Sequence, residues 1–363
     1  MRYLFTCGGT GGHIYPAVAI ADKVKEMEPN AEILFIGTKK GMENRIVPAS
    51  GYEIKGIDAS GINRKNLLSN VKTMQDLLRG GRQADSIIKE FKPDMVIGTG
   101  GYVTGAVVMH AYGMKIKTFV HEQNAVPGVA NRLLEGMVEK VFISFEASRN
   151  KFRHPEKCIL TGNPIRSDFN RLSRDDCRRE LDLTDETTVL VFGGSLGAKV
   201  LNDATIRLVD EAAGKNIKLF FVTGRRYYDE IKSYYDEKGG VPDNLVLMDY
   251  ADNMPHLMKA SDVVVSRAGA IAVSEITACG KPSILVPSPN VTNNHQFFNA
   301  KAIADAGAAV MLEEKEIDKD ISALAGKVLA LCGDPEKLGK MQADCSEIAK
   351  TNAADIIYKE IKS

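Results

Sequence analysis

The chain has 363 residues but no tryptophan, no surplus of either charge and no apolar run that reaches the ~20 residues needed to span a bilayer. Its 47 basic residues balance 47 acidic ones, so composition gives no reason to expect a nucleic-acid partner. Met1 to Phe5 enter a strand pattern directly and lack the apolar core of a signal peptide. We expect no transmembrane segment, and any membrane contact to be peripheral.

Cysteine has no clustered spacing either. The six cysteines stand far apart, without the Cys-x-x-Cys pair typical of zinc or redox centres: Cys7, Cys158, Cys177, Cys279, Cys332 and Cys345. The Asp-x-Asp at Asp318 to Asp320 lies in a charged stretch and predicts solvated surface. We therefore expect reduced thiols in a cytosolic protein, and no metal site.

Two glycine-rich turns, half a chain apart, are the most informative feature present. Residues 7–13 read Cys-Gly-Gly-Thr-Gly-Gly-His, and residues 193–198 read Gly-Gly-Ser-Leu-Gly-Ala. Each turn follows a short apolar run and opens a helix-patterned segment. Glycine lets backbone N–H groups approach a ligand, and a helix N-terminus adds partial positive charge, so each turn suits a diphosphate. Two such halves predict a cleft with one glycine turn on each wall.

The hydrophobic pattern predicts an α/β fold in two parts. Strand-length apolar runs alternate with longer amphipathic segments, as expected for parallel sheets covered on both faces. Gly162 and Pro164 interrupt this pattern before a charged stretch, which places a boundary near residue 164. The predicted domains are 1–163 and 164–340, and residues 341–363 are predicted to cross back as a helix to the first domain.

Polar residues follow predicted strands of the first half, at the edge where open α/β sheets bind ligands. His13 ends the first glycine turn, a second glycine cluster spans Gly98 to Gly105, and four polar residues run from His121 to Asn124. Histidine can accept a proton at cytosolic pH. The alternatives are a packing role for His13 and a simple tight turn for the glycine cluster.

The second half carries groups suited to a nucleotide sugar. Ser195 places a hydroxyl on the second glycine turn, Arg267 suits a diphosphate, and Glu275 can accept two hydrogen bonds from ribose hydroxyls. A surface ion pair between Arg267 and Glu275 is the alternative interpretation. The run Asn293 to Asn299 holds three asparagines and a glutamine, whose amides match sugar hydroxyls.

Residues Asn63 to Arg82 predict a basic amphipathic helix. Leucine, valine and methionine recur at helical spacing, while arginine and lysine supply positive charge. Such a helix binds an anionic bilayer, each basic residue adding ~1 kcal/mol near the surface. The alternative is a helix whose apolar face packs on the sheet.

Taken in order, these motifs resemble the MurG family, the peptidoglycan N-acetylglucosaminyltransferases that convert lipid I into lipid II. The resemblance extends from residue 5 to about residue 310 and rests on residues 8–16, 100–102, 121–124, 162–166, 193–195, 266–270 and 294–296. It implies a GT-B fold, in which two Rossmann-like domains with doubly wound parallel sheets face each other across a cleft. The first domain would hold the lipid acceptor and the second UDP-N-acetylglucosamine, with no cofactor.

The family pattern also implies a set of site residues. We assign substrate binding to Thr10, Gly11, Gly12, Asn124, Arg166, Ser195, Ala251, Arg267, Gly269, Ala270, Glu275, Gln296 and Asn299. Leu196 stands where many relatives have a glutamine, so one amide contact to the nucleotide sugar is missing. His13 is the expected general base for the C4 hydroxyl of N-acetylmuramic acid, with His121 and Glu122 as nearby alternatives. The second turn and Arg267 are expected to stabilise the departing UDP without a metal.

The expected function is transfer of N-acetylglucosamine from UDP-N-acetylglucosamine to undecaprenyl-linked lipid I. We expect a peripheral protein on the anionic cytoplasmic face of the bacterial cell membrane. Another GT-B glycolipid glycosyltransferase and a non-catalytic nucleotide-sugar-binding module remain as alternatives. An NAD-dependent oxidoreductase is disfavoured because neither turn reads Gly-x-Gly-x-x-Gly with an acidic residue about 20 positions on.

Overall fold

The computed structural model of the protein describes residues 1–59, 70–166, 168–194 and 196–363, with the side chains of residues 70–78 and 170 outside that description. The chain divides into two compact units. Unit 1 comprises Met1–Arg166 and Lys350–Ser363, and unit 2 comprises Ser167–Ala349. The sequence predicts a domain boundary after residue 163, and the first segment of unit 1 ends three residues later, at Arg166.

Unit 1 is built on a parallel sheet of seven strands. The strands are β1 Arg2–Thr6, β2 Glu32–Thr38, β3 Glu53–Ile57, β4 Met95–Gly98, β5 Lys117–Glu122, β6 Lys140–Ile143 and β7 Cys158–Leu160. Their spatial order is β3-β2-β1-β4-β5-β6-β7. The helices that follow these strands are α1 Gly11–Met27, α2 Glu43–Ala49, α3 Asn70–Phe91, α4 Tyr102–Gly113 and α5 Val129–Leu134, with 3-10 helical turns at Glu146–Lys151 and Pro155–Lys157.

Both faces of this sheet are buried, which explains the continuous apolar runs of its strands. Tyr3 and Phe5 of β1 belong to one core cluster together with Ile14 of α1. Leu4 points to the opposite face and belongs to a second cluster with Val107 of α4. Alternate residues of one strand therefore anchor helices on opposite faces.

Unit 2 repeats this architecture with six parallel strands. They are β8 Thr187–Phe192, β9 Ile217–Val222, β10 Leu245–Met248, β11 Val263–Ser266, β12 Ser283–Leu285 and β13 Ala309–Met311, in the spatial order β10-β9-β8-β11-β12-β13. Its helices are α6 Asp168–Arg171, α7 Arg174–Glu180, α8 Lys199–Glu211, α9 Tyr228–Glu237, α10 Met254–Ala260, α11 Ala270–Ala278, α12 His295–Asp305, α13 Glu314–Lys319, α14 Ala323–Cys332 and α15 Pro335–Ile348, with a 3-10 turn at Thr292–Asn294. The two doubly wound sheets confirm the predicted fold class.

The last helix, α16 Ala353–Lys362, returns to unit 1 and packs on α1. Ile357 and Ile361 enter the unit 1 core. Lys362 Nζ lies 2.7 Å from the Glu28 carboxylate, which also accepts a hydrogen bond from the Tyr3 hydroxyl. Of the segment 341–363 predicted to cross back, residues 350–363 lie with unit 1, whereas 341–349 continue unit 2.

Candidate active site

The strand orders place both glycine turns at a topological switch point. In unit 1 the order reverses between β1 and β4, and in unit 2 it reverses between β8 and β11. The turn at residues 7–13 follows β1, and the turn at residues 193–198 follows β8. Crevices at the carboxyl ends of the strands at such points are where open α/β sheets bind ligands.

In unit 1, the turns after β1 and β4 pack together through glycine. Gly100 and Gly101 have φ angles of +112° and +88°. A Cβ atom on Gly101 would lie 2.4 Å from the Gly8 carbonyl oxygen, and one on Gly100 would lie 2.8 Å from Cδ2 of His13. Glycine at positions 100 and 101 of the second cluster is therefore required by both the backbone conformation and the close approach of the first turn.

His13 lies in the first turn of α1 and is half-buried. Its Nδ1 atom is 3.0 Å from the Gly8 carbonyl oxygen, and its own carbonyl accepts a hydrogen bond of 2.7 Å from the Thr99 hydroxyl. Because a carbonyl only accepts, Nδ1 carries the proton of the neutral ring. The basic lone pair is then on Nε2, as a proton-accepting imidazole requires.

The sequence predicts that His121 and Glu122 follow the strand, but in the structure they are the last two residues of β5. His121 is fully buried, with Nε2 3.1 Å from the Gly162 carbonyl oxygen and Nδ1 3.0 Å from the Gln123 side-chain nitrogen. Burial lowers the pKa of His121 to about 4. A neutral ring with both nitrogens in hydrogen bonds favours a structural role.

The Glu122 carboxylate is also buried and organises the loop that follows. It accepts hydrogen bonds from the backbone N–H groups of Asn124 at 3.0 Å and Gly128 at 2.8 Å, and from the side chain of Asn131 at 2.8 Å. These donors occupy lone pairs that a general base needs. Among the three candidate bases, the geometry favours His13.

In unit 2, the turn after β8 also depends on glycine. Gly194 and Gly197 have φ angles of +87° and +74°. A Cβ atom on Gly197 would lie 2.2 Å from the Thr223 carbonyl oxygen, so the turn packs tightly against the end of β9. Leu196 projects into solvent, and α8 begins at Lys199. Ser195 lies outside the described residues.

Arg267, directly after β11, has partners that the sequence did not reveal. Its guanidinium donates to the Val286 carbonyl oxygen at 3.1 Å and forms an ion pair with Glu314, in which both side chains are 13% exposed. Since Val286 follows β12 and Glu314 begins α13 after β13, the side chain extends away from the β8 turn. These contacts connect three loops at the carboxyl edge of the sheet.

The amides of the 293–299 run have structural partners. Asn293 and Asn294 have φ angles of +55° and +50°, which asparagine tolerates better than most residues. The Gln296 side-chain oxygen accepts from the Ser288 backbone at 2.9 Å, and the buried Asn299 donates to the Ala268 carbonyl oxygen at 3.1 Å. Several of the amide residues predicted to bind sugar hydroxyls therefore stabilise the conformation of this loop.

The other assigned residues divide between the units. Unit 1 contains Thr10, Gly11, Gly12, Asn124 and Arg166, and unit 2 contains Ala251, Gly269, Ala270 and Glu275. Gly269 caps the N-terminus of α11, on which half-buried Glu275 lies two turns further along.

No group of three metal-ligating side chains occurs among the described residues. Within the same residues, no helix combines the length and apolar character that crossing a membrane demands.

The described side chains of the predicted amphipathic helix are those of residues 79–82, which lie in α3. Gly81 lies against His110 of α4, and beyond the predicted stretch the same helix buries Ala84 and Ile88 in the core. Arg79 is exposed. Residues 63–69 and the side chains of residues 70–78, including Lys72, lie outside the described part of the chain.

Comparisons with known proteins cover nearly the whole chain. The model of the glycosyltransferase family 28 N-terminal domain matches residues 3–143, and that of the C-terminal domain matches residues 188–359. A protein of Thermoanaerobacter sp. (strain X514) is 42% identical over 100% of both chains, and one of Alkaliphilus oremlandii is 43% identical over 100% of this chain and 99% of its own. Both are named UDP-N-acetylglucosamine--N-acetylmuramyl-(pentapeptide) pyrophosphoryl-undecaprenol N-acetylglucosamine transferase.

Solved structures agree with these relatives. The crystal structure of Acinetobacter baumannii MurG is 25% identical, with a TM-score of 0.79 and 99% of each chain covered. A UDP-GlcNAc 2-epimerase from Neisseria meningitidis gives a TM-score of 0.69 at 16% identity over 100% of both chains, which is a likeness of fold alone.

Proposed function

This chain belongs to glycosyltransferase family 28 and, within it, to the MurG enzymes, and we propose from this that it transfers N-acetylglucosamine from UDP-N-acetylglucosamine to lipid I. The acceptor is the C4 hydroxyl of the N-acetylmuramic acid unit, and the product is lipid II of peptidoglycan synthesis. The observation that carries the proposal is full-length identity of 42–43% to enzymes of this name.

The proposed chemistry uses one base and one leaving-group site. His13 Nε2 takes the proton of the C4 hydroxyl while that oxygen forms a bond to C1 of N-acetylglucosamine. The bond from C1 to the diphosphate oxygen breaks, and UDP leaves with the electron pair. Because the acceptor oxygen attacks from the face opposite UDP, the configuration at C1 is inverted. A positioned general base contributes ~10²–10⁴-fold to rate.

We assign the two substrates to different units. Unit 1 carries His13 and would bind the acceptor, and unit 2 would bind the nucleotide. The tight turn after β8 and the N-terminus of α8 offer backbone N–H groups and a partial positive charge to the diphosphate. Glu275 would accept hydrogen bonds from the ribose. Arg267, held by Val286 and Glu314, would act by shaping the loops at this edge.

The direct test is transfer of labelled N-acetylglucosamine from UDP to a short-chain lipid I analogue, with and without chelator. We expect product in both, and expect His13→Ala to lower kcat at least 100-fold while UDP-N-acetylglucosamine affinity stays within a few-fold. His110→Ala is the matched control, because His110 pairs with Asp85 on α3 and lies outside the proposed site. Unaltered turnover in His13→Ala would remove His13 from the mechanism. Transfer to diacylglycerol instead would favour the other glycolipid enzyme, and binding without transfer would favour the non-catalytic module.

We also propose peripheral attachment to the anionic cytoplasmic face of the bacterial membrane through unit 1. Helices α4 and α5 pack together and expose large apolar side chains: Tyr102, Met109, Tyr112, Val129 and Leu133. Exposed basic residues Lys115 and Arg132 lie on or next to the same helices. Apolar side chains with adjacent positive charge are the features that bind a protein to anionic lipid.

Vesicle flotation tests this attachment. The double variant Tyr112→Ser, Leu133→Ser should bind phosphatidylglycerol vesicles less than the parent chain. Ile321→Ser is the matched control, because Ile321 is an exposed apolar residue of unit 2. Equal flotation of the parent and the double variant would exclude this surface.

A further inference from the structure

A buried carboxylate lies directly beneath the first glycine turn. Glu43, the first residue of α2, has no exposed surface. One carboxylate oxygen accepts hydrogen bonds from the Thr38 backbone at 2.8 Å and the Thr38 hydroxyl at 2.6 Å. The other accepts from the Gly9 backbone N–H at 3.3 Å. An ionised carboxylate is stable in such a place only when its oxygens are satisfied by donors.

The surrounding chain is shaped to admit this carboxylate. A Cβ atom on Gly41 would lie 2.1 Å from one of its oxygens, and one on Gly37 would lie 2.5 Å from the Glu43 Cγ atom. A Cβ atom on Gly8 would approach the carboxylate to 3.0 Å. Three positions without side chains thus surround one fully buried acidic group, which forms no ion pair with the described residues.

The peptide group between Gly8 and Gly9 connects this carboxylate to His13. Its N–H donates to Glu43, and its C=O accepts from Nδ1 of His13 at 3.0 Å. A peptide whose N–H is bonded to an anion has a more negative carbonyl oxygen, because hydrogen bonds in a chain polarise one another. That oxygen is then a stronger acceptor for the ring N–H.

We propose that Glu43 is a positioning residue that acts on His13 through the Gly8–Gly9 peptide. It fixes the Nδ1-protonated tautomer, orients the ring, and strengthens the negative potential of the Gly8 carbonyl oxygen at the ring N–H. This inference rests on the proposed function of His13 as the base. The arrangement performs the task of the carboxylate that holds a catalytic histidine, with one peptide group interposed.

The replacement Glu43→Gln separates this role from simple packing. The amide oxygen can face the two Thr38 donors or the Gly9 donor, but not both, because the NH₂ group cannot accept. With the oxygen towards Thr38, the NH₂ group opposes the Gly9 N–H. This interrupts the relay, that is, the hydrogen bonds that run from Glu43 through the Gly8–Gly9 peptide to His13. Glu135→Gln is a matched control, since Glu135 is a buried carboxylate of unit 1 that holds the backbone N–H groups of Arg153 and His154.

Two other titratable groups interact electrostatically with this arrangement, and each stays in one form at neutral pH. Cys7, directly after β1, interacts with Glu43, and His121, the penultimate residue of β5, interacts with His13. Burial and then the charge of Glu43 raise the pKa of the Cys7 thiol, so it remains protonated. Burial lowers the pKa of His121 to about 4, so it remains neutral.

The experiment measures the pH profile of kcat/KM and the ring nitrogen shifts of His13 by NMR with histidine-selective ¹⁵N labelling. In Glu43→Gln we expect kcat to fall about tenfold, the lower end of the loss found when a group that orients a metal-bound histidine is removed. The acid limb of the profile should move to lower pH, because the carboxylate no longer stabilises the imidazolium. Glu135→Gln should leave both the limb and the nitrogen shifts in place.

The relay would be overturned if kcat/KM of Glu43→Gln fell equally at every pH, with no displacement of the acid limb, and the ¹⁵N shifts of His13 were unchanged. If the variant does not fold, the parent protein still decides, because an Nε2-protonated His13 in its neutral form would refute the proposal. Full turnover in His13→Ala would instead refute the base assignment, whereas the NMR result reports the relay independently of activity.

Discussion

The close approach of Gly101 to Gly8 gives a prediction whose size follows from the structure. Alanine at φ +88° and ψ 166° would occupy a region that is essentially limited to glycine, at a cost of about 1–3 kcal/mol. Its Cβ atom would also lie 2.4 Å from the Gly8 carbonyl oxygen, and overpacking typically costs a further ~1–3 kcal/mol. Gly101→Ala should therefore lower the free energy of unfolding by about 2–6 kcal/mol, or displace the first turn.

Displacement of the turn has a functional consequence. The Gly8 carbonyl orients His13, so movement of this oxygen should lower kcat at least tenfold even where the protein remains folded. The control is Gly105→Ala in α4, where, apart from the backbone of the helix itself, no atom of the described residues lies within 4 Å of an added Cβ. Alanine there should stabilise the helix by about 0.5–1 kcal/mol.

Circular dichroism is the suitable probe of unfolding because the chain has no tryptophan. Hydrogen exchange of peptides from residues 95–113 would separate the loss in unit 1 from the behaviour of unit 2. The reasoning fails if Gly101→Ala and Gly105→Ala have equal stability and equal kcat.

Two further predictions concern unit 2. Glu275→Ala should weaken UDP binding about 10–100-fold in calorimetry, through lost charge-assisted hydrogen bonds to the ribose, while the exposed Glu230→Ala should not; equal affinities would contradict the ribose assignment. Burial lowers the pKa of Lys281 from its ordinary 10.5 to about 8. Between these two values the lysine is protonated in the unfolded chain but neutral in the folded one. Its contribution to the free energy of unfolding therefore becomes more favourable as pH rises from 8 to 10.5. Lys281→Met removes this burial penalty together with the 2.7 Å hydrogen bond from Lys281 Nζ to the buried Ser261 carbonyl oxygen. The free energy of unfolding of the variant relative to the parent should therefore be highest at pH 7 and fall towards pH 10 in parallel chemical unfolding curves, and a constant difference would refute this.

The sequence was sufficient for the fold because the relevant signals are local. Apolar runs such as Val189 to Phe192 lie next to glycine turns, and short-range periodicity distinguishes the strands from the helices. The two glycine turns were also placed correctly at the carboxyl ends of β1 and β8. At Gly9, Gly194 and Gly197 a positive φ angle explains why glycine is favoured.

The partners of the polar residues were not predictable in the same way. Arg267 pairs with Glu314, 47 positions later, and Gly9 is held by Glu43, 34 positions later. Which strand lies beside which determines these contacts, and hydrophobic periodicity carries no information about strand neighbours. The alternative pairing of Arg267 with Glu275 came from proximity in sequence, which is a weak guide once a strand ends.

Buried carboxylates recur in this chain for a physical reason. Glycine turns leave backbone N–H groups without side chains to fix them, and a carboxylate can accept several such donors at once. Glu43 holds Gly9, Glu122 holds Asn124 and Gly128, and Glu135 holds the backbone at residues 153–154. An acidic residue beside a glycine motif is therefore as well explained by loop construction as by acid–base chemistry. What distinguishes the two roles is whether the donors already occupy its oxygens, and at Glu122 they do.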